Sequence, residues 1–136
     1  MSTRLKEKKE RLDRLIANLA EESAEGKPIV VEGKNDAETL HALGVNGPIL
    51  MVKSGGKSFF EVITEIESLS SKEIILLLDF DRRGTEGTIR LQRDLEKSKI
   101  KVNARFWNEL RGLIGRDLQC VEGLDSYMRT LAEKTV

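Results

Sequence analysis

The sequence predicts an α/β protein: a doubly wound parallel sheet of about four strands, helices on both faces, and one further helix in front. Three observations predict it. Short apolar runs alternate with longer amphipathic stretches in the order β-α-β-α-β-α-β, the pattern of such a fold. Ile74, Ile75, Leu76, Leu77 and Leu78 follow one another without a polar residue, and a strand apolar on both faces belongs inside a sheet covered on each side. The length, 136 residues, suits one domain and not comfortably two.

The elements follow in order. Over 3–24, Leu5, Leu12, Leu15, Ile16 and Leu19 fall on one helical stripe and the rest is largely charged. Gly26 and Pro28 stop that helix. Strand one is expected over 28–32. Asn35 or Asp36 is placed to cap a helix running to about Leu43, with Ala37, Leu40 and Leu43 inward. Gly44, Gly47 and Pro48 punctuate, and 49–52 forms strand two. Residues 54–58 make a Gly-rich loop in which Ser58 caps the next helix, with Phe59, Val62, Ile63, Ile66 and Leu69 inward. Strand three covers 73–79. A helix over about 85–97 turns a small-then-apolar face (Gly84, Gly87, Thr88, Leu91, Leu95) to the sheet. Its other face (Arg83, Glu86, Arg90, Arg93, Lys97) is mostly basic. Ile100, Val102, Ala104 and Phe106 alternate, which predicts an edge strand over 100–106. The remainder to Val136 holds one or two helical stretches broken at Gly123. No linker divides the chain, so residues 1–26 are expected to pack as a charged amphipathic helix on a single domain over 27–136.

Composition excludes several classes. The longest apolar run is far short of the ~20 residues of a membrane span, and no apolar stretch follows Met1-Ser2-Thr3-Arg4 to suggest a secretory leader. A single Cys and a single His exclude an internal disulfide and Cys-His metal spacing. A reducing, cytoplasmic setting without membrane association is therefore expected. Basic and acidic residues balance at 23 each, so no global field steers the chain toward nucleic acid. Locally the balance breaks: residues 82–105 carry eight basic against three acidic side chains.

In open parallel sheets functional groups gather at the carboxyl ends of the strands. There this sequence places Glu32-Gly33-Lys34-Asn35-Asp36, then Lys53-Ser54-Gly55-Gly56-Lys57-Ser58, then Asp79-Phe80-Asp81-Arg82-Arg83-Gly84. Side chains two apart in an extended segment point the same way, so Asp79 and Asp81 are expected to present oxygen ligands together. Such a pair suits Mg²⁺, which keeps several waters and binds through one or two carboxylates plus substrate phosphates. Glu32 is positioned to join the metal or to serve as general acid/base. Lys34, Lys53, Lys57, Arg82 and Arg83 are candidates for phosphate binding. The loop fails the P-loop pattern, which requires Gly where Met51 stands.

Val30-Val31-Glu32-Gly33-Lys34-Asn35-Asp36, followed by Leu76-Leu77-Leu78-Asp79-Phe80-Asp81-Arg82-Arg83-Gly84, resembles the paired signature of the Toprim domain over about residues 28–106. The wording is most similar to the nuclease branch that matures 5S ribosomal RNA, and the length to small stand-alone archaeal Toprim proteins. The resemblance implies a Toprim/Rossmann-like sheet. It implies Glu32 as general acid/base and metal ligand, Asp79 and Asp81 as the Mg²⁺ pair (Mn²⁺ being an alternative ion), Gly33 and Gly84 as motif glycines, and Asp36 as a capping acid. The family's topoisomerases need a nucleophilic Tyr from another domain, and Tyr127 lies in a predicted C-terminal helix. Primases need further domains that 136 residues cannot hold.

Two function classes follow. One is a Mg²⁺-dependent phosphodiester enzyme, a nuclease or RNA-processing factor acting on RNA or DNA. The other is a non-catalytic nucleic-acid-binding or ribonucleoprotein-associated module. A small-molecule nucleotide or phosphotransfer domain is a third reading. His41 is expected to be a surface or packing residue, Cys120 to be buried, and Trp107 to be core or an anchor.

Overall fold

A computed structural model of the chain describes residues 3–53, 58–71 and 73–135. In chain order the elements are α1 (Thr3–Ala24), β1 (Ile29–Val31), α2 (Lys34–Ala42), β2 (Ile49–Met51), α3 (Phe59–Glu67), β3 (Glu73–Leu76), α4 (Arg82–Lys97), β4 (Lys101–Asn103), α5 (Arg105–Ile114), a 3₁₀ turn (Val121–Gly123) and α6 (Leu124–Lys134). The four strands form one parallel sheet in the order β2-β1-β3-β4. The α/β reading of the sequence is thereby met, helices on both faces included.

Strand periodicity divides the core into two layers. Ile29, Val31, Ile75 and Leu77 point to one face, where they pack with Leu12, Ile16 and Leu19 of α1, Leu40 of α2, Phe106, Trp107, Leu110 and Ile114 of α5, and Leu124 and Leu131 of α6. Val30, Ile74, Leu76 and Leu78 point to the other, against Val62 and Ile66 of α3 and Leu91 and Leu95 of α4. The N-terminal helix thus shares the core of the sheet through the stripe that its sequence displays. Gly26 follows it with φ 93°, a left-handed conformation that Gly adopts without the Cβ penalty.

These expectations need correction. The helix after strand one is capped by Gly33, not by Asn35 or Asp36; Asp36 is its third residue and accepts the Gly33 N–H at 3.0 Å. The regular ladder of β3 ends at Leu76, before the predicted Asp79. Helix α4 begins at Arg82, three residues early, because Asp81 caps it. The edge strand stops at Asn103, and Phe106 is helical. The alternation through Phe106 belongs equally to a helix in which Phe106, Trp107, Leu110 and Ile114 share the buried face. Leu69 lies beyond α3 and is exposed, and Cys120, expected to be buried, is partly exposed.

Candidate functional site

Because β1 and β3 are hydrogen-bonded neighbours, the segments that leave them meet at one edge of the sheet. Glu32, the residue after β1, reaches across: its Oε2 accepts the backbone N–H of Asp79 at 2.9 Å. Its Oε1 lies 3.1 Å from the Lys53 ammonium, which follows β2. All three strand exits therefore contribute to one cluster. Asp36 stands behind it, bound to the Gly33 N–H. Asp79 in turn accepts the Val121 N–H on Oδ1 at 3.0 Å, and its carbonyl accepts the Trp107 indole N–H at 3.2 Å.

Electrostatics reflect this crowding. Burial pushes the Asp79 carboxyl up; the Val121 N–H opposes it, but the neighbouring Glu32 and Asp36 charges add to it, and the pKa reaches about 7. Burial also pushes Asp36 up, with Glu32 adding to the rise, against the backbone N–H groups of Gly33 and Glu122. For Glu32, burial acts upward but is outweighed by the Asp79 N–H and by Lys53, so its pKa lies below the ordinary value. The site is thus an ionised Glu32 facing a carboxyl that resists ionisation, with Lys53 as the cation beside them.

The other candidates divide. Asp81 commits Oδ1 to the Gly84 N–H at 2.7 Å as the cap of α4, and its carbonyl accepts the Thr85 hydroxyl. The chain bends at Phe80, so Asp81 opens α4 and does not continue a straight strand with Asp79. Lys34 is exposed and lies 3.9 Å from Glu38 along α2. Arg82 pairs with Glu86 at 3.2 Å. Arg83 is exposed and has no partner among the described residues. Lys57 and the loop 54–57 lie outside the described residues. Among the described residues, no three His, Cys, Asp or Glu side chains form a ready metal cage.

The two motif glycines differ. A Cβ at Gly84 would run into the Asp79 carbonyl oxygen and stand 2.6 Å from its carbonyl carbon. A Cβ at Gly33 would meet nothing within 4 Å, and the backbone there is extended (φ −150°, ψ −176°). The fold therefore requires glycine at 84 and not at 33. Gly33→Ala is expected to change stability by less than about 1 kcal/mol, the loss of a favourable cap residue opposing a gain in chain stiffness. Thermal unfolding checks this, and a larger loss would show that the space is needed by the fold.

Sequence reasoning missed the donors from Trp107 and Val121. The first is a side chain assigned only to the core. The second is a backbone N–H, which no residue type announces.

Residues 27–106 match the model of the Toprim domain. The chain belongs to the Toprim domain family. The chain also has relatives in methanogens: it is 35% identical over 105 residues to a UPF0292 protein of Methanocaldococcus jannaschii, covering 77% of this chain and 80% of that one. It is 32% identical over 126 residues to a UPF0292 protein of Methanosarcina barkeri, covering 93% and 86%. Among solved structures, a putative protein from Aquifex aeolicus superposes with a TM-score of 0.66 at 25% identity, over 80% of this chain and 94% of that one. The Toprim match includes Glu32, Asp36, Lys53, Asp79 and Asp81, and it ties the chain to a family associated with Mg²⁺ and nucleic acids. It ends in the first turn of α5, so Trp107, the 3₁₀ turn and α6 lie beyond it. No helix among the described residues is long and apolar enough to cross a membrane.

Proposed function

We propose that this Toprim protein is a Mg²⁺-dependent phosphodiester enzyme acting on nucleic acid, a nuclease or RNA-processing factor, with RNA and DNA both open as substrate. The observation that carries the reading is the Glu32–Asp79 pair at the sheet edge, where two carboxylates face each other and one of them is pushed to a pKa of about 7. Like charges held together at neutral pH favour a cation between them. The donor set fits Mg²⁺, a hard ion that takes one or two protein carboxylates and completes its shell with water and substrate phosphate. Mn²⁺ has the same oxygen preference. Asp79 and Glu32 would hold the ion, with the free oxygen of Asp81 as a further ligand. Bound there, it would neutralise charge on the scissile phosphate and favour attack by water.

The chain's own residues divide the remaining work. Glu32, ionised and fixed by the Asp79 N–H, is the group to hold and pass a proton. Lys53, which pairs with Glu32 at 3.1 Å, would be available to a substrate phosphate if a metal supplied the counter-charge to Glu32. Arg83, Arg82, Lys34 and Lys57 bind the backbone by charge, and the open approach over Gly33 leaves room for it. A ribonucleoprotein setting is compatible with this site.

A second reading, a nucleic-acid-binding module without catalysis, is favoured by one observation: Asp81 commits an oxygen to the helix cap, which leaves the metal fewer protein ligands. One experiment separates the two. The wild type, Asp79→Asn and Glu32→Gln are titrated with Mg²⁺ by calorimetry, and a labelled pool of RNA and DNA is assayed for binding and cleavage. The enzyme reading expects metal-dependent cleavage that falls by about 10²–10⁴-fold in Glu32→Gln, the usual contribution of an acid–base group, while nucleic-acid binding is retained. Mg²⁺ uptake and nucleic-acid binding without cleavage would select the second reading, and no Mg²⁺ uptake would overturn the metal in both. Arg82→Gln/Arg83→Gln is expected to weaken nucleic-acid binding uniformly across sequences and to flatten its salt dependence. An unchanged salt slope would remove these two from the interface.

A further inference from the structure

Residues 119–122 lie beyond the Toprim match, which ends at 106, yet they touch the carboxylate site directly. The Gln119 carbonyl accepts the Phe80 N–H at 2.8 Å. Two residues on, the Val121 N–H donates to Asp79 Oδ1 at 3.0 Å. The Glu122 carbonyl accepts the Thr39 hydroxyl at 2.9 Å, and the Glu122 N–H bears on the Asp36 carboxylate. The segment is laced to the exit of β3 on one side and to α2 on the other. It is pinned from within by Val121 and Leu124, both fully buried.

A carboxylate that is free to rotate presents either oxygen. One whose Oδ1 is held by a backbone N–H presents Oδ2 in a fixed direction. Groups that orient a metal ligand in this way commonly change metal affinity 10–100-fold when removed. The donor here is a main-chain N–H on a segment anchored by buried side chains, so its position is set by the fold and not by a rotamer.

We propose that the 119–122 strap is a positioning element of the metal site, with the Val121 N–H fixing the Asp79 carboxylate in the orientation that receives a divalent cation. The proposal rests on the metal reading given above. It makes the C-terminal segment part of the site that the Toprim motif alone leaves incomplete.

The test removes the donor and keeps the path of the chain. Val121 opens the 3₁₀ turn, and Cys120 before it is extended at φ −131°, ψ 142°. Proline suits the first position of a helical turn and follows an extended residue without clash. Val121→Pro is therefore compared with Leu124→Ala, which removes buried volume from the same segment and no donor to Asp79. Both are titrated with Mg²⁺ by calorimetry on the full chain at pH 8. Val121→Pro is expected to bind Mg²⁺ at least tenfold more weakly, while Leu124→Ala unfolds at lower temperature and binds within twofold of wild type. A second readout needs no metal. Iodoacetamide alkylation of Cys120, which is partly exposed, is expected to accelerate severalfold in Asp79→Ala. Asp79→Asn, which removes the same charge from near the thiol but whose amide oxygen still accepts the Val121 N–H, is the reference, and the Asp79→Ala rate is expected to exceed it severalfold. Equal Mg²⁺ affinity in Val121→Pro and wild type overturns the positioning role and leaves the metal reading standing. A wild type that takes up no Mg²⁺ overturns both. If Val121→Pro does not fold, the alkylation comparison decides, and equal rates in Asp79→Ala and Asp79→Asn overturn the strap's hold on Asp79.

Discussion

Gly84→Ala lowers the stability of the protein by about 3 kcal/mol, the upper range for overpacking a tightly filled contact, or about 10 °C in midpoint. The physical reason is a backbone contact. Gly84 is buried in the first turn of α4, and its Cα faces the Asp79 peptide so closely that a methyl group would overlap the carbonyl oxygen, with 2.6 Å to the carbonyl carbon and 3.0 Å to Cα. Neither partner can yield cheaply. The Asp79 carbonyl accepts the Trp107 indole N–H, the Asp79 N–H is bound to Glu32, and the Gly84 N–H is bound to Asp81. A shift of α4 large enough to admit the methyl group therefore loosens the cap and displaces Asp79. The variant is expected to lose Mg²⁺ affinity together with stability, whereas Gly33→Ala keeps its stability. Thermal unfolding of the two side by side checks this. A Gly84→Ala midpoint within 2–3 °C of wild type, less than about 1 kcal/mol, would show that the approach of α4 to the Asp79 peptide is not fixed.

This contact explains what the sequence could and could not display. Val30 to Glu32 and Ile74 to Asp79 were legible as strand exits carrying carboxylates because buried parallel strands are unbroken apolar runs, and chemistry collects at their carboxyl ends. Their adjacency followed from β1 and β3 being neighbours, and Glu32 does reach Asp79. Asp81 was harder. Asp-x-Asp in a straight strand gives two parallel carboxylates, but Asp-x-x-Gly is also a helix cap, and the cap governs here because the Gly84 N–H needs an acceptor at the start of α4. Phe106 fits an alternating strand as well as a helical face, and the packing of Phe106 and Trp107 in one core with Leu12 and Ile16 of α1 selects the helix. The Val121 donor had no signal in the sequence. It is a main-chain group brought 42 residues from Asp79 by the docking of α5 and α6, and only the tertiary structure reveals it.

Asp79→Asn stabilises the metal-free protein at pH 8. The Asp79 pKa rises from an ordinary 3.8 to about 7 on folding, so the folded state holds this proton more tightly than the unfolded state does. Its favourable contribution is complete below the unfolded value and is lost as pH rises through about 7; above that, ionised Asp79 opposes folding. Taken whole, a shift of about three units is worth about 4 kcal/mol. Solvent screening at this partly exposed site reduces the expected gain in the variant to about 1–2 kcal/mol at pH 8. The asparagine keeps the Val121 acceptor and adds an amide donor toward Glu32, so no buried group is orphaned. The advantage is expected to shrink as pH falls below about 7 and to close only below about pH 4, where the unfolded state is protonated as well. Glu32 acts in the opposite sense: its lowered pKa favours folding above its unfolded value and that contribution is lost as pH falls through the folded one. The metal-free wild type is therefore expected to be most stable at about pH 4.5 and to lose stability as pH rises toward about 7. On the metal reading, Mg²⁺ would supply the missing counter-charge at pH 8; it is then expected to stabilise the wild type by about 2.7 kcal/mol at a hundredfold excess over Kd and to leave Asp79→Asn unmoved. Thermal unfolding of both proteins from pH 4 to 9, with and without Mg²⁺, reads all of these terms. A variant less stable than wild type at pH 8 without metal would mean that Asp79 is already compensated by Lys53 and the Val121 N–H, and that the site has no unmet demand for a cation.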